Sequence, residues 1–164
     1  MDNLIDGQLE VVISSYSGEV AHIDAEPILQ EALNLVVPRG HPLADQQEIS
    51  IKDFKDEPLI LLSESLVLRD KVIELFGRND FEPIIGALCS QVSTVKALVH
   101  SGAGLSILPE MARETVSPYD VVFRTLNSAR MTRLLFALTH ERRYLSSGAR
   151  AFLKVVREFV DERE

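Results

Sequence analysis

Short apolar runs alternate along the chain with stretches whose apolar residues recur at helical spacing. Each run is rich in aliphatic and β-branched residues and is bounded by polar or turn residues, a pattern that predicts buried β-strands. The runs cover residues 9–14, 32–38, 58–63, 82–88, 105–109, 121–126 and 133–138.

Three stretches between or after these runs have the apolar spacing of amphipathic helices. They cover residues 68–76, 92–99 and 149–160. The last is the most regular, and Ser146 or Ser147 is predicted to cap it, because a serine hydroxyl accepts a hydrogen bond from a first-turn N–H group. Strands that alternate with helices favour a mainly parallel sheet and therefore an α/β fold.

The stretch LVHSGAGLSILPE, residues 98–110, has the glycines of a phosphate-binding loop. A dinucleotide-binding fingerprint, however, places its glycines after a strand and before a helix. Here Gly102 and Gly104 follow a predicted helix and precede a predicted strand, and no lysine is followed by Ser or Thr as a Walker loop requires. We therefore expect a structural turn, in which Gly102 ends the helix and Gly104 occupies a position that only a small residue fits.

The charge balance argues against a nucleic-acid-binding surface. The 164 residues include 25 acidic and 17 basic side chains, which give a net charge of −8 at pH 7. Because DNA binding requires basic residues that neutralise phosphates, we expect that this chain alone does not bind DNA. Hydrophobic residues make up 46% of the chain, which is typical of one globular core or two small linked lobes.

The cysteine content and the N-terminus favour a cytoplasmic protein without a membrane partner. Cys89 is the single cysteine, so no intrachain disulfide can form, and this favours a reducing compartment. The N-terminus has no basic region followed by an apolar run, and no stretch approaches the ~18 apolar residues of a membrane span.

Motifs of enzymes and metal sites do not occur in the sequence. The four histidines lack HExxH spacing, and there is no GxSxG elbow, so we predict no catalytic residue, no metal site and no cofactor. Cys89 precedes a predicted helix. It is either a thiol with a lowered pKa or a buried small hydrophobic residue, and the second is the more common state of an isolated cysteine after an apolar strand.

Several segments in a fixed order resemble a known family. The order and spacing resemble the effector-binding domain of LysR-type transcriptional regulators over nearly the whole chain. The segments are LIDGQLEVVIS (4–14), LVVPRGHPLA (35–44), ISIKDFKDEPLILL (49–62), S-x-x-S-T-V-K-A-L-V-x-S-G-A-G-L-S-I-L-P (90–109) and LSSGARAFLKVV (145–156).

The resemblance implies an α/β fold of two Rossmann-like lobes, of the type II periplasmic-binding-protein kind, with a small effector in the cleft between them. By segment matching, residues 1–29 and 134–164 would form an incomplete first lobe, and residues 30–133 a complete second lobe. The family's N-terminal winged helix-turn-helix, its linker helix and the first strand and helix of the first lobe have no counterpart in this sequence.

Binding residues are expected where strands lead into helices. In open α/β lobes, ligands lie beyond the carboxyl ends of the strands, where helix N-termini offer N–H groups to anions. Two junctions fit, at residues 61–70, where Arg69 is expected to open a helix, and at residues 89–94. The resemblance adds the end of the strand at 9–14. The predicted ligand-binding residues are Ser14, Ser15, Ser63, Ser65, Val67, Arg69, Ser90 and Gln91.

Each of these side chains also has an ordinary structural role open to it. Ser63 and Ser90 are equally good candidates for helix capping and for ligand contact. Arg69 could form a surface or interlobe salt bridge instead of contacting a ligand. Peroxide-sensing members of the family carry a reactive cysteine at the position of Val67, so valine here argues against redox sensing.

The resemblance implies a non-enzymatic domain that senses a small metabolite, and the hydroxyl groups and helix N-termini with Arg69 nearby favour an anionic one. It also implies a homodimer or higher oligomer that reaches DNA only through the N-terminal winged helix-turn-helix. A solute-binding protein of the same architecture is an alternative, against which the absence of a signal peptide argues. A small α/β enzyme is a second alternative, and it would need a clustered acid, base or nucleophile.

Overall fold

The computed structural model describes residues 1–16, 18, 20–63, 66–114, 118–126 and 131–161, with the backbone alone for residues 66 and 67. The strands within these residues are β1 (Val11–Ser14), β2 (Ile23–Pro38), β3 (Leu59–Leu62), β4 (Ile85–Cys89), β5 (Ser106–Pro109), β6 (Val121–Thr125) and β7 (Thr132–His140). The helices are α1 (Asp2–Ile5), α2 (Leu66–Gly77), α3 (Val92–His100) and α4 (Ser147–Asp161), with 3-10 turns at Pro42–Asp45, Ile51–Asp53 and Glu110–Glu114.

The pattern of apolar residues predicted most of these elements. Every predicted strand and all three predicted helices are confirmed. The largest difference is β2, which begins at Ile23 rather than at residue 32. Exposed polar residues such as Asp24 and Glu26 interrupt the first half of this strand, so no apolar run marks it. None of the described helices is both long enough and apolar enough to span a membrane.

The chain divides into two compact units. Unit 1 comprises Met1–Gln30 and Leu134–Glu164, and unit 2 comprises Glu31–Arg133. In unit 1, β7 lies between β1 and β2. The pairing of β1 with β7 is antiparallel, from Val11 opposite Thr139 to Ser14 opposite Phe136. The buried face of α4 carries Leu153 and Val160.

Ser146 caps α4, as the sequence predicts. Its hydroxyl accepts a hydrogen bond from the Ala149 N–H group at 3.1 Å, and it donates to the Glu10 carboxylate at 2.7 Å. The Ser146 N–H group donates to the other Glu10 oxygen, also at 2.7 Å. These two bonds lower the pKa of Glu10, the backbone bond having the larger effect. The start of α4 is thereby fixed to the segment that leads into β1.

Parallel and antiparallel pairs both occur between the described strands, so the prediction of a mainly parallel sheet is wrong. Among the pairs with a described register, β3 and β4 are parallel, whereas β1–β7, β2–β5 and β2–β6 are antiparallel. One parallel bridge, between Leu59 and Leu105, joins β3 to β5. The physical reason is connectivity: helices link β3, β4 and β5, whereas 3-10 turns follow β2 and precede β6.

Both faces of the central strands in unit 2 are covered. Leu59 and Leu61 of β3 pack in one apolar cluster with α2, while Ile60 packs in a second cluster with α3. All three side chains are at most 1% exposed. The strand therefore reads as a continuous apolar run, as expected where helices lie on both faces of a sheet.

The glycine-containing loop is a structural turn, as predicted. Gly102 has a φ of +79°, and its N–H group donates to the Val99 carbonyl, while the Ala103 N–H group donates to the Leu98 carbonyl. This pattern is a Schellman motif, which ends α3. Gly104 then passes so close to β3 that a Cβ atom would lie 2.4 Å from the Pro58 carbonyl oxygen.

We expect Gly104→Val to destabilise the chain by about 1–3 kcal/mol, because its side chain would collide with backbone at a φ of +158°. The same Pro58 oxygen accepts the Leu105 N–H group at 2.9 Å, so relief of the collision would disturb the start of β5. Urea unfolding measures the loss. Gly40→Ala is the matched control, since nothing lies within 4 Å of its added Cβ. Equal stability of the two variants would contradict the prediction.

We expect Ser146→Ala to cost about 1 kcal/mol at neutral pH through loss of the helix cap. The pKa of Glu10 is lower in the folded than in the unfolded state. The Glu10 carboxylate therefore stabilises the fold above its unfolded-state pKa, and this stabilisation is lost as the pH falls through its folded-state pKa. The stability difference between wild type and variant should therefore shrink in acid. Urea unfolding at neutral and acidic pH tests this, with Ser147→Ala as the neighbouring control. If the stability difference between wild type and variant does not change with pH, the helix cap acts independently of Glu10.

Candidate functional site

The parallel pairing of β3 with β4 aligns the ends of these strands. Leu62 lies opposite Cys89, the last residue of each strand, and the Ser63 N–H group donates to the Cys89 carbonyl at 2.9 Å. Ser63 and Ser90 directly follow this pair. The structure thus brings two of the predicted binding residues to the same edge of the sheet in unit 2.

Two helices begin just beyond this edge. The first residue of α2 is Leu66, and that of α3 is Val92. First-turn N–H groups of a helix have no acceptor within the helix and carry partial positive charge. The edge therefore combines hydroxyl groups with two helix N-termini, a combination that suits an anionic ligand.

The N-cap residue of α3 is Gln91, and its side chain makes no capping hydrogen bond. Of the two roles open to Ser90, capping is therefore wrong. Its side chain is exposed, and neither Ser90 nor Gln91 forms a side-chain hydrogen bond within the described part of the chain. Both polar groups remain available to a ligand.

Arg69 lies in the first turn of α2 and does not open it, since the helix begins at Leu66. Its Nε atom is buried and has no hydrogen-bond partner among the described residues. No ion pair of Arg69 occurs among these residues either, so the salt-bridge alternative finds no support there. A buried N–H donor without an acceptor costs roughly 1–3 kcal/mol, which an oxygen of a bound anion would recover.

The remaining predicted residues are less closely defined. Ser65 lies outside the described residues, and for Val67 only the backbone, within α2, is described. Ser14 is the last residue of β1, and Ser15 follows it; both are half-buried and belong to unit 1. That they share a site with the residues of unit 2 stays a prediction.

Cys89 ends β4, and its thiol is free and half-buried. Its carbonyl, rather than its sulfur, contributes to the edge by accepting the Ser63 N–H group. No group of three or more His, Cys, Asp or Glu side chains is placed to hold a metal ion within the residues that the structure describes.

Unit 2 also contains a cationic cavity that no sequence motif predicts. A cavity of about 410 Å³ is lined by cationic side chains that are scattered along the chain, from Arg39 to Arg124. Because they come from different elements, no local motif or basic run signals them.

Comparison with known proteins identifies a family. The sequence model of the LysR substrate binding domain matches residues 1–161. An uncharacterized HTH-type transcriptional regulator of Bacillus subtilis strain 168, YwbI, is 30% identical over 157 residues, which are 94% of this chain and 52% of that protein. The transcriptional dual regulator GltC of the same organism is 25% identical over 142 residues, or 87% of this chain and 47% of GltC. The chain thus spans about half the length of these relatives.

Solved structures share the fold. The effector binding domain of QuiR in complex with shikimate superposes with a TM-score of 0.83 at 24% identity, over 98% of this chain and 76% of that one. The Synechocystis PCC6803 CcmR regulatory domain in complex with 2-PG gives a TM-score of 0.85 at 19% identity, over 97% and 77%. These likenesses confirm the predicted α/β fold of the periplasmic-binding-protein kind. The family match and the YwbI relationship together establish that the chain belongs to the LysR-type transcriptional regulators, as a substrate-binding domain.

Proposed function

We propose that the carboxyl edge of β3 and β4 binds a small anionic effector, with Ser63, Ser90, Gln91 and Arg69 as its contacts in unit 2. The observation that carries this proposal is the buried Arg69 Nε without an acceptor. Uncompensated burial of a guanidinium donor is unfavourable, and an oxyanion at this position would offset it. The two helix N-termini and the exposed Ser90 hydroxyl supply further donors to the same ligand.

Relatives of known fold support a small oxygen-rich ligand. The QuiR domain was solved with shikimate and the CcmR domain with 2-PG. By analogy, the effector of this chain is a small metabolite with acidic groups. In the same proposal, units 1 and 2 correspond to the two lobes of the fold, the effector lies in the cleft between them, and Ser14, Ser15, Ser65 and Val67 also line it.

The residues at the edge support a binding role rather than catalysis. A serine nucleophile requires a neighbouring base, and no histidine or carboxylate is hydrogen-bonded to Ser63 or Ser90 within the described residues. The edge offers hydrogen-bond donors and one positive charge, which are the means of holding an anion. The domain is therefore a non-enzymatic sensor in this proposal, and the curated relatives are regulators.

Control of transcription would follow from a change in the relative orientation of the two lobes on effector binding. In a homodimer or higher oligomer, such a change would alter the spacing of two DNA-reading heads, each an N-terminal winged helix-turn-helix. The proposed location of this regulator is the cytoplasm, where it would meet both metabolites and DNA. The alternative of a solute-binding protein would require the same site without a DNA-binding segment.

We expect Arg69→Leu to weaken anion binding by roughly tenfold or more, because a charge-assisted hydrogen bond is lost. The same change should leave the free energy of unfolding unchanged or raise it, since it removes an unsatisfied buried donor. NMR shift titrations with candidate carboxylates and phosphates measure the first effect, and urea unfolding measures the second. A purely structural Arg69 would give the opposite result, lower stability with unaltered binding.

We expect Ser90→Ala to lower the affinity for the same ligand by several-fold to roughly tenfold, which is the range for the loss of one hydrogen bond to a charged group. Ser101→Ala, at the other end of α3, is the matched control, because that hydroxyl donates to the Leu98 carbonyl instead. A ligand that binds the chain tightly without shifting the Ser63 or Ser90 resonances would place the site elsewhere while leaving the family assignment intact.

We expect this chain alone not to bind duplex DNA specifically, because its net charge of −8 opposes contact with phosphates. Electrophoretic mobility shift with a promoter fragment over a series of salt concentrations tests this. Sequence-selective retardation that weakens with added salt would contradict the expectation.

A further inference from the structure

The cavity of about 410 Å³ lies within unit 2 and shares no residue with the proposed effector site. Its walls come from β6, from Lys96 of α3, from the turn at Pro42–Asp45 and from Arg113 of the turn at Glu110–Glu114. This volume is within the range of small-molecule sites, roughly 300–1,000 Å³.

The lining carries several cations in a chain that is acidic as a whole. Among the described residues the lining holds one carboxylate, Asp45, and four cations, Arg39, Lys96, Arg113 and Arg124. Because Arg39 is paired with Asp120 and Arg113 with Glu110, this group of side chains has a net charge of +1, against −8 for the chain. A concentration of like charge in a concave site raises the local positive potential and attracts anions.

Two of these cations meet at one aromatic ring. The Lys96 Nζ atom lies 5.5 Å from the centroid of Phe123, and the Arg113 guanidinium carbon lies 4.9 Å from the same centroid. The two charges are therefore at most about 10 Å apart, which is comparable to the screening length of ~10 Å at 0.1 M salt, so they repel each other weakly. The ring offsets part of this repulsion through cation–π attraction.

Lys96 is the most deeply placed of the four cations. The residue is only 3% exposed, and burial lowers the pKa of its ammonium group, which means that its surroundings oppose the positive charge. A bound anion next to it would favour the charged form.

Arg113 and Arg124 present guanidinium groups of fixed orientation. The Arg113 Nε atom donates to Glu110 at 2.5 Å, and the Arg124 Nε atom donates to the Ala44 carbonyl at 2.5 Å. Arg124 makes no ion pair within the described residues, so its positive charge is not neutralised there. Arg39 is bound to both oxygens of Asp120 at 2.7 and 2.8 Å, and Arg113 to both oxygens of Glu110 at 2.5 and 3.1 Å, so each contributes less to the attraction than an unpaired cation would.

We infer that this cavity binds a small oxyanion of at least two negative charges, of the phosphate monoester class, through Lys96, Arg113 and Arg124. A guanidinium group matches a phosphate with a planar pair of donors, while an ammonium group provides a compact charge. A phosphate monoester offers three acceptor oxygens to these three cations, whereas a monocarboxylate offers two. The inference is independent of the proposed effector site, since it rests on a different set of side chains.

The test is an NMR shift titration of the full chain with inorganic phosphate, and with acetate as the monovalent comparison, at constant ionic strength. We expect saturable shifts at Phe123 and Ala44 with phosphate and much weaker binding of acetate. Lys96→Met keeps the length of the side chain and removes its charge, and it should weaken phosphate binding by roughly tenfold or more. Arg113→Gln, a second variant, should also weaken it, while Glu110 keeps its hydrogen bond from Asn34.

Lys55→Met is the matched control, because Lys55 also lies over a phenylalanine ring, with its Nζ atom 5.4 Å from the centroid of Phe81, but outside the cavity. This control should retain wild-type phosphate affinity. The inference is overturned if phosphate does not bind, if Lys96→Met and Arg113→Gln both bind it as the wild type does, or if its shifts are confined to Ser63 and Ser90. Retained phosphate binding in Arg69→Leu, with shifts at Phe123, supports a site separate from the effector site.

Discussion

The parallel pairing of β3 with β4 is the constraint on which the proposed site depends. Because Leu62 lies opposite Cys89, the residues that follow each strand, Ser63 and Ser90, meet at one edge. A shift of this register by one residue would turn every side chain of β4 to the opposite face. The burial of Leu59, Leu61 and Ile60 on two faces of the sheet fixes the position of β3.

The same strand explains why the glycine-containing loop exists. The Pro58 carbonyl accepts the Leu105 N–H group, and Gly104 must approach it closely for β5 to join β3. The glycines resemble those of a phosphate-binding loop in the sequence, but in the structure they allow β5 to pair with β3. Gly102 ends α3, and Gly104 allows the close approach from which β5 begins.

Unit 2 places several cationic side chains where folding alone does not require them. Arg69 has a buried donor without an acceptor among the described residues. In the cavity, Lys96 and Arg113 both lie over the ring of Phe123. The buried Arg69 donor costs stability in the absence of an acceptor, and a bound anion would offset that cost.

The sequence by itself determined the elements, the fold class and the family. Apolar runs and helical stripes are local properties, and the order of segments from LIDGQLEVVIS to LSSGARAFLKVV carried the resemblance to LysR-type regulators. The sequence also favoured Ser63 and Ser90 as candidates, since both follow apolar strands. Tertiary structure alone decided the rest. The directions of the strands depend on connections rather than on periodicity, so the mixed sheet was not predictable from apolar runs. Whether a side chain finds a partner depends on residues distant in sequence, which is why the unsatisfied Arg69 and the convergence of Lys96, Arg113 and Arg124 became visible only in the folded chain.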